Sequence, residues 1–208
     1  MRQATPDDHD ALSLICLRTG AAGEDATARE DDPSLLGLIY AVPYQIYAPD
    51  FAFVVDAAGV PSGYLLAALD TAAFNRQLAA EWYPPLQRRI PPPPADKSRW
   101  VGSDWARDLI HHPRLETPAP LAAFPSHIHI DLLPNLRGKG VGRRIMAVLE
   151  ARLAAAGSSG LHLGVDPRNT RAIGFYGALG FAPIQVPDAG RGTLFMGKRL
   201  IPQRGSEA

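Results

Sequence analysis

Ile128, Ile130 and Leu132 alternate with His127, His129 and Asp131. Period two predicts a strand with one apolar and one polar face. Just beyond it, Val141, Ile145, Val148, Leu149 and Leu153 fall at i, i+4, i+7, i+8 and i+12, so residues 140–156 read as an amphipathic helix. Leu161 to Val165 reads as a short buried strand, and Thr170 to Leu179 as a helix stopped by Gly180. Residues 181–186 and 192–200 form a closing antiparallel pair. At the other end, Pro6-Asp7-Asp8 starts a helix, because proline suits the first turn and the acids face the positive end of the dipole. Leu12, Ile15, Cys16 and Thr19 carry its apolar stripe as far as Gly20. Residues 21–33 are Ala-, Gly- and Asp-rich and read as a loop, and Leu35 to Ile39 as a short helix ended by Pro43. Phe51 to Asp56 and Gly63 to Leu69 are strands joined by a loop longer than two residues. The fold class is α/β (α+β).

Residues 71–125 have a different texture. Ten of the 20 prolines lie between Pro84 and Pro125, with Pro91 to Pro94 in a run, and Trp82, Trp100 and Trp105 are the chain's three tryptophans. Linkers are poor in aromatics, so this stretch is expected to be an ordered insertion into a single domain spanning residues 1–208. Trp82, Tyr83, Trp100 and Trp105 are candidates to line a groove, with ordinary packing of a small subdomain at least as common a role for such residues. Arg88, Arg89, Arg99 and Arg107 read as a solvated face, with recognition of an acidic acceptor as the rarer role, and His111-His112 as loop.

Charge narrows the function. Lys+Arg and Asp+Glu both number 21, which leaves no basic surplus for a general grip on nucleic acid. No apolar run is long enough to span a membrane, and the start has no secretory pattern, so the expected compartment is the cytoplasm. Cys16 stands alone, which excludes an intramolecular disulfide and a cysteine-based zinc site. A His127-x-His129 metal site is the minor reading of that pair, and no metal is expected.

The chemistry concentrates at Asp131-Leu-Leu-Pro-Asn-Leu-Arg137-Gly-Lys-Gly140-Val-Gly-Arg143, where a strand passes into a helix through a glycine-rich turn. Glycines allow close approach and positive φ, and first-turn amides lack intrahelical partners, so the turn can hold an anion. Arg137, Lys139 and Arg143 add positive charge. The spacing fits neither a Walker loop nor the G-x-G-x-x-G dinucleotide turn.

Arg137-x-x-Gly140-x-Gly142 after an apolar strand resembles motif A of the GNAT acyltransferases. Asn169-x-x-Ala172-x-x-Phe175-Tyr176-x-x-x-Gly180-Phe181 resembles their motif B. Both occur in the right order and at the usual separation. The stretch from Asp70 through Trp82-Tyr-Pro-Pro, with Phe124 to Asp131, is also similar to the C-terminal acetyltransferase-like domain of O-GlcNAcases, as a free-standing bacterial relative would be. The glycine turn, degraded in the animal domain, is intact here.

The resemblance implies a mixed, mostly antiparallel sheet of six or seven strands, with acetyl-CoA in a V between two central strands. Leu132 and Leu133 would lend backbone groups to the pantetheine arm. Gly138, Lys139, Gly140, Val141, Gly142 and Arg143, with Arg137, would hold the pyrophosphate. Asn169 would bind the arm or cap its helix, two readings the residue type leaves open. Tyr176 is the candidate acid for the departing thiolate, Asp131 the first candidate base and His129 the second. The implied activity is acetyl transfer to a primary amine, either a small molecule or a protein lysine, by a monomer or homodimer. The alternative is a non-catalytic acyl-CoA-binding or interaction module.

Overall fold

In the computed structural model, residues 1–187 and 192–200 are described. Among them, seven strands form one sheet: β1 (Arg2–Gln3), β2 (Ala52–Ala57), β3 (Val60–Ala68), β4 (Ser126–Leu132), β5 (Gly160–Val165), β6 (Ala182–Ile184) and β7 (Leu194–Arg199). Their order is β1-β2-β3-β4-β5-β7-β6. Every neighbouring pair is antiparallel except β4 and β5, which run parallel and pair only at Ser126↔Leu161 and His127↔His162. Beyond His127 the two strands part, and that divergence opens the V.

Eight α-helices cover the two faces: α1 (His9–Leu17), α2 (Leu35–Tyr40), α3 (Val42–Tyr47), α4 (Thr71–Gln77), α5 (Tyr83–Arg89), α6 (Asp104–His111), α7 (Val141–Ala155) and α8 (Thr170–Ala178). Strand alternation sends Val54, Tyr64, Leu66 and Ala68 to the core under α1–α6. Phe53, Val55, Leu65 and Ala67 go to the core under α7 and α8. With both faces covered, β2 and β3 read as near-continuous apolar runs.

Four local readings need correction. Pro43 does not end the second helix; the chain breaks at Ala41 (φ −133°), and Pro43 sits in the first turn of α3, where its missing N–H is harmless. The β2–β3 loop is only Ala58-Gly59, both with positive φ (51° and 80°), closed by the pair Ala57↔Val60. On α7, Val148 is exposed and Met146 is fully buried instead. His111 closes α6, with Nε2 2.8 Å from the Ile90 carbonyl, rather than lying in a loop.

Residues 71–125 are ordered and largely helical, and Phe74, Leu78, Tyr83, Leu86, Ile90, Ala106 and Ile110 enter the first core. A π turn over Leu78–Trp82 separates α4 from α5, whose first turn carries Pro84 and Pro85. Two residues that cannot donate follow directly, and the wider turn lets the helix run on through them. Among the described residues no helix is long and apolar enough to cross a membrane.

Candidate active site

β4 leads into a short 3-10 turn, Pro134–Leu136, and then into Gly138 and Gly140, both left-handed at φ 72° and 69°. Gly140 is the N-cap of α7. A Cβ built at Gly138 would meet nothing within 4 Å, and one at Gly140 only the Arg144 guanidinium at 3.4 Å. Both positions therefore face open space, and glycine is needed there for φ rather than for packing. Gly142 is different: a Cβ would come within 3.0 Å of the Phe175 ring, so α7 and α8 approach closely at that point. A cavity of about 360 Å³ runs along this cradle, lined by Asp131, Leu132, Gly138, Gly140 to Arg143, Asn169, Phe175 and Tyr176 among others.

Several expected ligand residues have other work. The Leu133 N–H donates to Ser62 O at 2.9 Å, so it is committed to the sheet and Leu133 packs on the opposite face. Ladder alternation then points the main-chain groups of Ile130 and Leu132 toward β5, into the V. Lys139 is exposed and does not line the cavity. Arg137 does line the cavity and is also a brace: Nε donates to Leu132 O (2.7 Å) and Nη2 to Gly23 O (2.8 Å). Gly23 also accepts from Arg171, which tethers the Ala22-Gly23 turn to the rim. Asn169 caps α8 by accepting from Ala172 N at 3.0 Å while still lining the cavity, so its two readings coexist. Sequence reasoning missed Gly23, Ile130, Leu136, Arg171, Ala172 and Phe175 as lining residues. The motif-B resemblance signalled only the last three, by position.

A second cavity, about 540 Å³, shares Gly23, Ile130, Asp131, Asn169, Ala172 and Tyr176 with the first. It continues into a third, of about 480 Å³, through Tyr40, Asn75, Trp105, Arg114 and His129. Tyr83, Trp100 and Trp105 line that far end as expected, whereas Trp82 packs on Tyr47 and donates to Leu38 O. Arg107 is paired with Asp31 and Asp104, and Arg114 is the arginine that reaches the cavity.

The polar face of β4 is half-buried and lines the second cavity. His127 is locked: the Thr71 hydroxyl donates to Pro125 O (2.7 Å) and must accept from Nδ1 (2.9 Å), so Nε2 accepts from Tyr44 Oη (2.5 Å). Burial and neighbouring histidines hold His127 well below the ordinary imidazole range. Burial, with His162 nearby, pushes His129 down to about 4, which weakens it as the second candidate base. Burial pushes the Asp131 carboxyl up to about 6, moderated by a hydrogen bond from Tyr64. Burial and the Asp131 charge raise the Tyr176 phenol, keeping it protonated. Among the described residues no three His, Cys, Asp or Glu side chains converge as a metal site. A neutral donor phenol and a basic carboxylate thus face the junction of two cavities.

Comparison with known proteins gives four findings. Residues 119–181 match the acetyltransferase (GNAT) family. Protein O-GlcNAcase of Rattus norvegicus is 28% identical over 180 residues, which is 86% of this chain but a fifth of that protein's length. Among solved structures, SsHAT is 36% identical and superimposes with a TM-score of 0.86 over 96% of this chain and 97% of its own. The yncA acetyltransferase of Salmonella typhimurium, solved with acetyl-CoA, is 18% identical with a TM-score of 0.53 over 100% of this chain and 96% of its own; it shares the fold.

Proposed function

The chain belongs to the GNAT family of acetyltransferases, and from that premise we propose that it moves acetyl from acetyl-CoA to a primary amine by direct attack of the neutral amine on the thioester. The observation that carries this reading is the meeting of two cavities at Asp131 and Tyr176. One is the glycine cradle, the other an aromatic-walled chamber roofed by residues 71–125.

The cradle fits a pyrophosphate. Gly138 and Gly140 leave open space where side chains would stand, and the first-turn amides of α7 point outward at the positive end of a 15-residue helix. Arg143 lines the same wall. The main-chain groups of Ile130 and the Leu132 N–H, left without a strand partner by the β4–β5 divergence, suit an extended amide-bearing arm, while the Leu132 carbonyl already accepts from Arg137. Acetyl-CoA brings the activated acetyl group.

The chain's own residues handle the protons. The amine approaches through the second cavity, and its N–C bond forms as the C–S bond breaks. Asp131 takes the amine proton, which a carboxyl raised to about 6 does better than a caged imidazole at about 4. Tyr176, kept protonated, donates to the departing sulfur.

Calorimetry with acetyl-CoA tests the cradle. Native protein is expected to bind, Gly140→Trp to lose binding while keeping its circular dichroism, and Tyr176→Phe to keep it. Thiol release over a panel of amines then tests transfer. Binding without release on any amine would replace the enzyme with an acyl-CoA-binding module.

A further inference from the structure

Tyr64 stands outside both sequence motifs, yet it is the fully buried partner of the candidate base. In the β3–β4 ladder it pairs directly with Asp131, so the two side chains leave the sheet on one face. Its hydroxyl donates to Asp131 Oδ2. The other groups facing that carboxyl are Cys16 from α1, Thr19 from the turn just after it, Arg137 from the glycine turn and Tyr176 from α8. Thr19 has one hydroxyl proton, and it goes to Ile15 O at 2.8 Å. Arg137 directs its N–H groups to the Leu132 and Gly23 carbonyls. Cys16 is buried against Tyr64, with its thiol held well above the ordinary range by burial and the Asp131 charge. Thr19 also bears on the carboxylate, but with its proton on Ile15 O the direct side-chain hydrogen bond to Asp131 is the one from Tyr64.

We propose that Tyr64 is a positioning residue: its hydroxyl fixes the Asp131 carboxylate, ties up Oδ2, and leaves Oδ1 as the oxygen presented to the incoming amine. The role assigned to the amine rests on the reading above; the dyad itself does not. Burial favours the protonated acid, and a hydrogen bond to the ionised form opposes it. Without the phenol the base would be protonated over much of the neutral range. Tyr64 sets both where the base points and the pH at which it works.

The test of the dyad needs no acceptor; only the separate check on the base assignment does. With carbonyl-labelled aspartate, carbon NMR follows the Asp131 carboxyl through its titration, assigned by its disappearance in Asp131→Asn. Tyr64→Phe is expected to move that titration up by about one unit, with acetyl-CoA affinity unchanged. In native protein a downfield Tyr64 hydroxyl proton should move upfield as pH drops through the same titration, a readout that survives if Tyr64→Phe fails to fold. Equal titration in native and Tyr64→Phe, or a hydroxyl proton indifferent to Asp131 ionisation, overturns the proposal. If the titration shifts while Asp131→Asn transfers acetyl at the native rate, the dyad stands and the base assignment above falls.

Discussion

Asp131 and His129 sit two residues apart on one face of β4, and burial drives them in opposite directions. The neutral form is the one favoured in both, so the acid becomes a better base and the imidazole a poorer one. Two outcomes follow at this scale. Asp131→Asn should lower the rate of transfer about 100-fold or more with little change in acetyl-CoA affinity, read by single-turnover kinetics beside calorimetry. For native protein, kcat/KM should fall as pH drops through about 6, where the base is protonated, and His129→Gln should leave that inflection close to its place. The alternation along β4 was enough to group His127, His129 and Asp131 on one face. It could not say that the face lines a half-buried cavity, because α1–α3 and residues 71–125 supply the cover from far along the chain. Tyr64 was invisible for a related reason: an aromatic inside an apolar run looks like core until the register of its neighbour is known.

Among elements, the turns and helix contacts carry the most local information. Ala58 adopts φ 51°, a conformation that costs an L-residue with a Cβ about 1–2 kcal/mol. Ala58→Gly should therefore stabilise the fold by up to about 1 kcal/mol after the added freedom of the unfolded chain, read as a higher urea midpoint of unfolding at unchanged m-value. The expectation of a longer loop arose because Val60-Pro61-Ser62 carries turn-forming residues, yet Val60 and Pro61 already pair with Ala57 and Asp56. At the α7–α8 contact, Gly142→Leu should displace Phe175, whose ring lies 3.0 Å from the built Cβ, and weaken acetyl-CoA binding. Both elements were legible from periodicity and from the two motifs. Their closeness was not, because it depends on the pair Gly142 and Phe175, 33 positions apart.

The whole molecule carries three histidines below their ordinary range: His127, His129 and His162. Each is held neutral by burial, so an unfolded chain binds protons that the folded one refuses. Their contribution to stability is complete above about 6.5 and declines as pH falls, for His129 through about 4. Asp131 acts in the opposite sense, since its raised carboxyl favours the folded state below the ordinary value of 3.8 and loses that advantage as pH rises through about 6. With three groups against one, the melting temperature should fall steadily between pH 6.5 and 4.5, and His129→Gln should flatten the decline. Scanning calorimetry across that window checks both.

The narrow seam between β4 and β5 has one more consequence. The strands on one side of it come from residues 2–132 and those on the other from residues 160–199, so two backbone pairs are all that join the halves within the sheet. Main-chain amides at Ile130 and Leu132 are left facing a gap instead of a neighbouring strand, and they should exchange with solvent faster than those of Leu65 or Leu163 in the paired strands beside them. A ligand lying in the gap would act as the missing strand. Its arrival should slow deuterium uptake at those two amides ahead of any change elsewhere, making the seam itself a built-in reporter of occupancy.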